Sequence, residues 1–248
     1  MFTKSGKVHY TVAMDYVPVE IDLDHIVRLP GLPRRVKHVR SGIELVFVAG
    51  GRSTLGAHRD DLEQFSNEPQ REETVDDVFL GVTPVTQAQW TSTGLTNVSY
   101  FRYRLDAELL PIDSVNLSDV IMFLELCGGG FFLPDEWQWE HACRAGSSAS
   151  RYGPLNEIAH HTRDATQPVG RKSPNAFGLC EMLGMVWEWT SSSDPAHPGS
   201  KIVRGGSFLS VQRSCRASAR YHFDEGYADK EIGFRVAATV QDVRAGLG

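Results

Sequence analysis

Hydrophobic and polar positions along this chain change in short runs, and few stretches keep a helical period for long. Val8-His-Tyr-Thr-Val12 alternates, and with a turn at Leu29-Pro-Gly-Leu-Pro33 it predicts one or two accessory strands within residues 1–40. Residues 43–48 read Ile-Glu-Leu-Val-Phe-Val, a β-branched run stopped by Gly50-Gly51, which fits a strand and a tight turn. Residues 57–74 are charged and turn-rich and are expected as a surface loop, with Val75–Leu80 as the next strand. Three helices are placed by their starts. Thr83-Pro84 sets a capping hydroxyl before a first-turn proline, leading into Val85–Trp90. Asn116 is the expected cap of Leu117–Cys127, which stops at Gly128-Gly129-Gly130. Asp135 and Gln138 have the spacing of a capping box ahead of Trp139–Arg144, with Gly146 as the stop. Between residues 146 and 206 Gly and Pro recur without a period. A loop of that length inside a domain has to be held by ions or buried aromatics. No fixed repeat is visible, which disfavours a solenoid or propeller.

Composition narrows the picture modestly. The chain has 248 residues, 41% hydrophobic and 23% charged, enough for one domain whose core needs no disulfide or metal staple. Net charge is −6, and the basic cluster Arg34, Arg35, Lys37, His38 and Arg40 is local, so no nucleic-acid partner is expected. The first residues lack an apolar stretch suited to a signal peptide or membrane helix, so no membrane partner and a cytoplasmic location are expected. Cys127, Cys143, Cys180 and Cys215 show neither a C-x-x-C pair nor zinc spacing and read as free thiols. His160 and His161 are adjacent and read as solvent-exposed loop histidines.

Four segments carry more specific chemistry. Phe132-Leu-Pro-Asp-Glu-Trp-Gln-Trp-Glu-His-Ala142 opens a helix, and Pro168-Val-Gly170 precedes Asn175-Ala-Phe-Gly-Leu179. Gly184-Met-Val-Trp-Glu-Trp-Thr190 sets two indoles on one side of an extended segment and a carboxylate on the other. The last segment comprises Arg204-Gly-Gly-Ser-Phe208, Arg216-Ala-Ser-Ala-Arg220 and Gly233-Phe-Arg-Val236. Glu181 and Glu188, with the carbonyls of Gly184 and Val186 between them, are hard oxygen donors at close spacing, which suits calcium. Phe208, Tyr221, His222, Phe223 and Tyr227 crowd aromatic and polar side chains into one stretch suited to recognition.

In this order the segments resemble the formylglycine-generating enzyme, or sulfatase-modifying factor, superfamily, and the chain reads as a divergent bacterial member. The resemblance spans roughly residues 43–240, which divides the chain into an N-terminal extension, 1–40, and a domain, 41–248. It implies an α+β, C-type-lectin-like fold of twisted antiparallel strands, two or three helices and much ordered loop. It also implies a calcium site at Glu181, Gly184, Val186 and Glu188, and a second calcium loop near Asn156–Asp164. Family enzymes hold copper(I) between two cysteines five residues apart. Here Cys215 stands at the second position and Ser210 at the first, and a hydroxyl cannot replace a thiolate for a soft ion. The remaining cleft positions carry over as Trp187, Ser207 and Arg216. Met185 stands where the family usually has Asn.

Copper is therefore not expected. The expected function is a ligand- or protein-binding accessory module using the C-terminal aromatic loops, with a protein or small-molecule partner. The alternative is a metal-dependent oxidoreductase (non-heme iron or copper) that consumes O2, with a different site or with ligands from a partner chain. A serine nucleophile at Ser207 or Ser210 would require a base, for which His222 is the local candidate.

Overall fold

The structure is a computed structural model that describes residues 14–19 and 30–248. The alternating stretch Val8–Val12 lies outside the described residues. The first half of the chain supplies β1 (Tyr16–Pro18), β2 (Arg35–His38), β3 (Glu44–Val48), β4 (Gly51–Leu55), β5 (Arg71–Val75) and β6 (Val78–Gly81). Helices α1 (Gln87–Thr91), α2 (Leu117–Cys127), α3 (Glu136–Arg144) and the single turn α4 (Leu155–Ile158) follow. The second half is mostly strand and loop: β7 (Ala159–His160), β8 (Leu183–Gly184), β9 (Trp187–Ser193), β10 (Ser200–Arg204) and β11 (Arg220–Asp224). It closes with β12 (Ile232–Gly233), β13 (Ala237–Thr239) and α5 (Val240–Gly246).

Two sheets organise these pieces. One is antiparallel in the order β1-β2-β3-β6-β13; the other runs β11-β10-β9-β12, with β12 parallel to β9. β4 and β5 form a separate ribbon, and β7 meets β8 as a short parallel bridge. Tyr16–Pro18 and Arg35–His38 therefore extend the main sheet as its outer strands.

Local chemistry explains where expectation and structure part. The run Val75–Leu80 is two strands, because Asp76-Asp77 turns and Asp77 Oδ1 accepts the Gly50 backbone N–H at 2.7 Å. A Cβ on Gly50 would lie 2.1 Å from the Val75 carbonyl oxygen, so the two turns fit only with a glycine there. Helix α1 starts at Thr86, not Thr83. Val85 is still in extended pairing, donating to Phe234 O at 2.9 Å and accepting from Ile112 N–H at 2.8 Å. The cap is a reciprocal box between Thr86 and Gln89. Caps at Asn116 and Asp135 stand where the spacing predicts them.

One apolar cluster packs α2 against the main sheet, where Trp90 stacks on Phe123 at 5.3 Å and both meet the edge of Phe234. A second cluster lies around Trp139 of α3 and includes Leu179, Met182, Leu183 and Cys215. The loops are tied in by charge. Arg204, Arg216 and Arg235 are all fully buried. Arg235 donates to both oxygens of Glu188 at 2.6 and 2.8 Å and to the carbonyls of Gly81 and Cys180. Arg204 pairs with Glu140 and with the carbonyls of Ala217, Ser218 and Ala219. Arg216 grips Glu68 through two bonds of 2.7 and 2.8 Å, which draws the charged loop onto the domain; that loop ends at residue 70 rather than 74, because Arg71–Val75 pairs with β4.

Removing one partner of such a pair strands a buried charge. Glu188→Ala is expected to cost about 3–5 kcal/mol. The thermal midpoint should fall by roughly 2–4 °C per kcal/mol for a domain of this size. A companion Arg235→Met change should recover part of that loss. Thermal melts followed by circular dichroism give both values.

Candidate functional site

The site begins on β9. Trp189 is buried and donates its indole N–H to Val115 O at 3.0 Å, while Trp187 is half-buried at the surface. Glu188 points the other way, into the second cluster, where the Trp139 indole N–H reaches it at 2.6 Å beside Arg235. The strand is entered through a tight turn. Gly184 has φ +74°, and a Cβ there would meet the His160 carbonyl oxygen at 2.3 Å. Met185 follows at φ +68°, a conformation that asparagine tolerates better than methionine.

That geometry bears on calcium. Both Glu188 oxygens are taken by a guanidinium, and Glu181 lies in a nest of three backbone N–H groups, from Gly170, Arg171 and Lys172 at 2.8–3.0 Å. Burial still pushes the Glu181 carboxyl above its ordinary pKa against those three donors. Two carboxylates each facing donors do not fit a shared cation as Glu181 and Glu188 stand here. In the second expected loop, the Lys172 ammonium already occupies the Asn156 carbonyl, and Asn156 Oδ1 meets His161 Nε2 at 3.1 Å.

The copper positions hold a hydroxyl and a buried thiol. Ser210 Oγ accepts the Ser207 N–H at 2.9 Å and lies 3.2 Å from Ser207 Oγ, which in turn donates to the Glu231 carboxylate. Cys215 is fully buried in the second cluster behind a 3-10 turn, Gln212–Ser214, and its sulfur packs under Gly206. Burial pushes its thiol up to about 12, so it stays protonated at neutral pH. Arg216 is not a cleft residue; it is committed to Glu68, Asp61 and Ser218. His222 faces Asp194 rather than either serine, and among the described residues no imidazole is hydrogen-bonded to Ser207 or Ser210. The acid partner of Ser207 is Glu231, which sequence spacing gave no means of finding.

The aromatic stretch divides. Phe208 is fully buried against the edge of Phe101. Tyr221, Phe223 and Tyr227 line the surface with Trp187. Tyr221 lies 6.2 Å from the Trp187 ring and 5.1 Å from Phe223, and Tyr227 stacks on Phe223 at 4.5 Å. Trp187, Phe223 and Tyr227 border a cleft of about 70 Å³ whose remaining walls are Asp229, Glu231 and Ile232. Burial, and then the charges of Asp229 and Glu231, raise the Tyr227 phenol above its ordinary pKa. The cleft is thus aromatic and electronegative.

His160 corrects an expectation. It is buried on β7, with Nε2 unpartnered among the described residues, because β7 runs beneath the Gly184 turn. Burial, followed by Lys172, Arg163 and His161, lowers its pKa from 6.5 to about 4.

Against this geometry the relatives can be placed. Residues 32–240 match the sulfatase-modifying factor enzyme 1-like domain, and the chain belongs to that family. It is 29% identical over 172 residues to the formylglycine-generating enzyme of Mycobacterium tuberculosis, covering 52% of this chain and 57% of that one. It is 28% identical over 165 residues to the Streptomyces coelicolor enzyme, covering 51% and 52%. The chain thus spans about half the length of the formylglycine-generating enzymes it matches. A longer match, 24% over 255 residues and 78% of this chain, is to chaperone protein LppX of Paenibacillus barcinonensis, 88% of which is covered. Among solved structures, PvdO from Pseudomonas aeruginosa superposes with a TM-score of 0.77 at 21% identity, over 86% of this chain and 100% of that one. Treponema denticola variable protein 1 gives 0.74 at 20%, over 84% and 99%. The fold is the α+β, C-type-lectin-like arrangement of this superfamily.

Two outcomes follow from the buried groups. In native protein at pH 8, iodoacetamide should leave Cys215 unmodified, and the same reagent in urea should label it fully, as read by peptide mass spectrometry. His160 is neutral when folded, so between pH 6.5 and 4 the unfolded chain binds a proton that the folded chain does not. Its contribution to stability is therefore complete above pH 6.5 and is lost as pH falls towards 4. Urea midpoints across that range should decline less steeply in His160→Gln than in the parent.

Proposed function

We propose that this domain is a recognition module, and that its cleft receives a cationic group carried by a protein or small-molecule ligand. The observation that carries this reading is the cleft itself, three aromatic rings with two carboxylates at the rim. A cation over an aromatic face gains about 0.5–1 kcal/mol when exposed and about 2 when desolvated, and Asp229 and Glu231 add charge of the complementary sign. Large rings on short strands also lose little entropy when they order a ligand.

Family membership alone leaves catalysis open, since one fold hosts many activities. Here the oxidase chemistry lacks its dithiol: Ser210 replaces one sulfur, and the other is a protonated thiol within the core. A protein partner also accords with the name of LppX, a chaperone protein, which aligns along most of its own length. A metal-dependent oxidoreductase would need ligands other than Ser210, which is a hydroxyl, and Cys215, which is a buried thiol.

Titration of the Trp187 environment by fluorescence, with an arginine- and lysine-containing peptide against its glutamate counterpart, tests the reading. The basic peptide should bind, and Tyr227→Ala and Asp229→Asn should each weaken it about five- to tenfold. Equal binding of both peptides, or binding indifferent to these substitutions, would sink the cationic assignment. Oxygen consumption with a cysteine-containing peptide, abolished by Cys215→Ala, would overturn the recognition reading as a whole.

A further inference from the structure

On the far side of β11 from the main core, Asp194, His197 and His222 bring one ligand atom each within 4.8 Å of one another. Asp194 Oδ2 lies 2.9 Å from His197 Nδ1 and 3.2 Å from His222 Nδ1. The two imidazoles stack face to face, with centroids 3.7 Å apart and planes 17° from parallel. Both Nδ1 atoms thus face one carboxylate oxygen from adjacent, nearly parallel rings.

From these residues we infer that Asp194, His197 and His222 form a binding site for a divalent transition metal such as zinc. Zinc bound by two imidazole nitrogens at about 2.0–2.1 Å and a carboxylate oxygen at about 2.0–2.2 Å separates tetrahedral ligand atoms by roughly 3.3 Å. The two contacts to Oδ2 are already within a few tenths of an ångström of that spacing. Neutral imidazole and carboxylate are donors that zinc, copper(II) and nickel(II) accept, whereas calcium and magnesium prefer oxygen alone.

The cluster is supported from behind. The turn after β9 is closed by backbone bonds from His197 N–H to Asp194 O and from Ser200 N–H to His197 O, with Pro195 and Pro198 inside it. Ala196 N–H donates to Asp194 Oδ1 at 3.0 Å, which leaves Oδ2 free to face the rings. His222 arrives from the adjacent strand, opposite Ile202 of β10. A metal here would clip the β9–β10 turn to β11, whose neighbouring residues Tyr221 and Phe223 belong to the aromatic face. His197 is half exposed, so an ion has an open path and a fourth position accessible to water. The inference is independent of the cationic-ligand reading, because none of the three residues borders that cleft.

Untagged protein titrated with zinc against a chromophoric chelator tests the site. The parent should bind one equivalent. His197→Ala and His222→Ala should each bind at least tenfold more weakly, while His58→Ala, at an exposed histidine elsewhere, should bind as the parent does. Zinc should also raise the thermal midpoint of the parent and of His58→Ala, but not that of His222→Ala, since only a folded-state ligand stabilises. If Asp194→Asn loses its turn and unfolds, the two histidine variants still decide the matter, both being side chains open to solvent. Failure of the parent to take zinc from the chelator would overturn the inference, as would equal affinity in His197→Ala and His222→Ala.

Discussion

The organisation of this domain rests on ion pairs placed where water cannot reach them. Arg235 and Glu188 come from β9 and the segment before β13, nearly fifty positions apart in sequence, and meet with two bonds of 2.6 and 2.8 Å inside the second core cluster. Arg204 with Glu140 and Arg216 with Glu68 repeat the arrangement. Each guanidinium also caps carbonyls of loop backbone, so the charges do two things at once. They neutralise each other, and they satisfy backbone that has no strand or helix to pair with. A fold with this much irregular chain depends on such anchors. Apolar burial alone does not choose among the many ways a loop can lie, whereas a forked donor with fixed geometry does.

The same anchors explain how the family resemblance persists here although Ser210 stands at one of the two positions expected to carry a thiol. Arg216, Arg235, Glu140 and Glu188 all lie in the matching segments, and all are occupied with structure. A chain can keep them, and hence the fold, after the dithiol is gone. What remains at the former reaction positions is a hydroxyl pair, Ser207 and Ser210, tethered to Glu231 and to backbone, with a sulfur sealed behind it.

Much of the fold could be read from residue patterns, and the reason is local. Capping boxes at Asn116 and Asp135, and the β-branched run ending at Val48, act within a few residues of themselves. Thr83 misled because a threonine-proline pair carries the same local signal as Thr86, and only the tertiary pairing of Val85 chooses between them. The site was harder. Trp187, Tyr221, Phe223 and Tyr227 stand out as aromatics in a polar stretch, but Phe208 has the same composition and faces inward. Whether a carboxylate meets a cation, a guanidinium or a nest of amides is decided by residues far away in sequence. For that reason Glu181 and Glu188 suggested calcium, and Glu231, Asp194 and His197 suggested nothing.

The short strand β11 has one more implication. Tyr221 and Phe223 turn to Trp187 and Tyr227, while His222 turns to Asp194 and His197 and keeps its ring stacked 5.3 Å from that of Tyr221. The segment from Gly205 to Ala219 that feeds it is irregular backbone around one 3-10 turn, and an insertion there changes the length of chain ahead of the strand. Here the parity of any such change matters more than its length. One added residue that slid the strand along β10 would exchange the two faces, delivering an imidazole where a ring is wanted and a phenol among the proposed metal ligands, whereas two would restore the alternation.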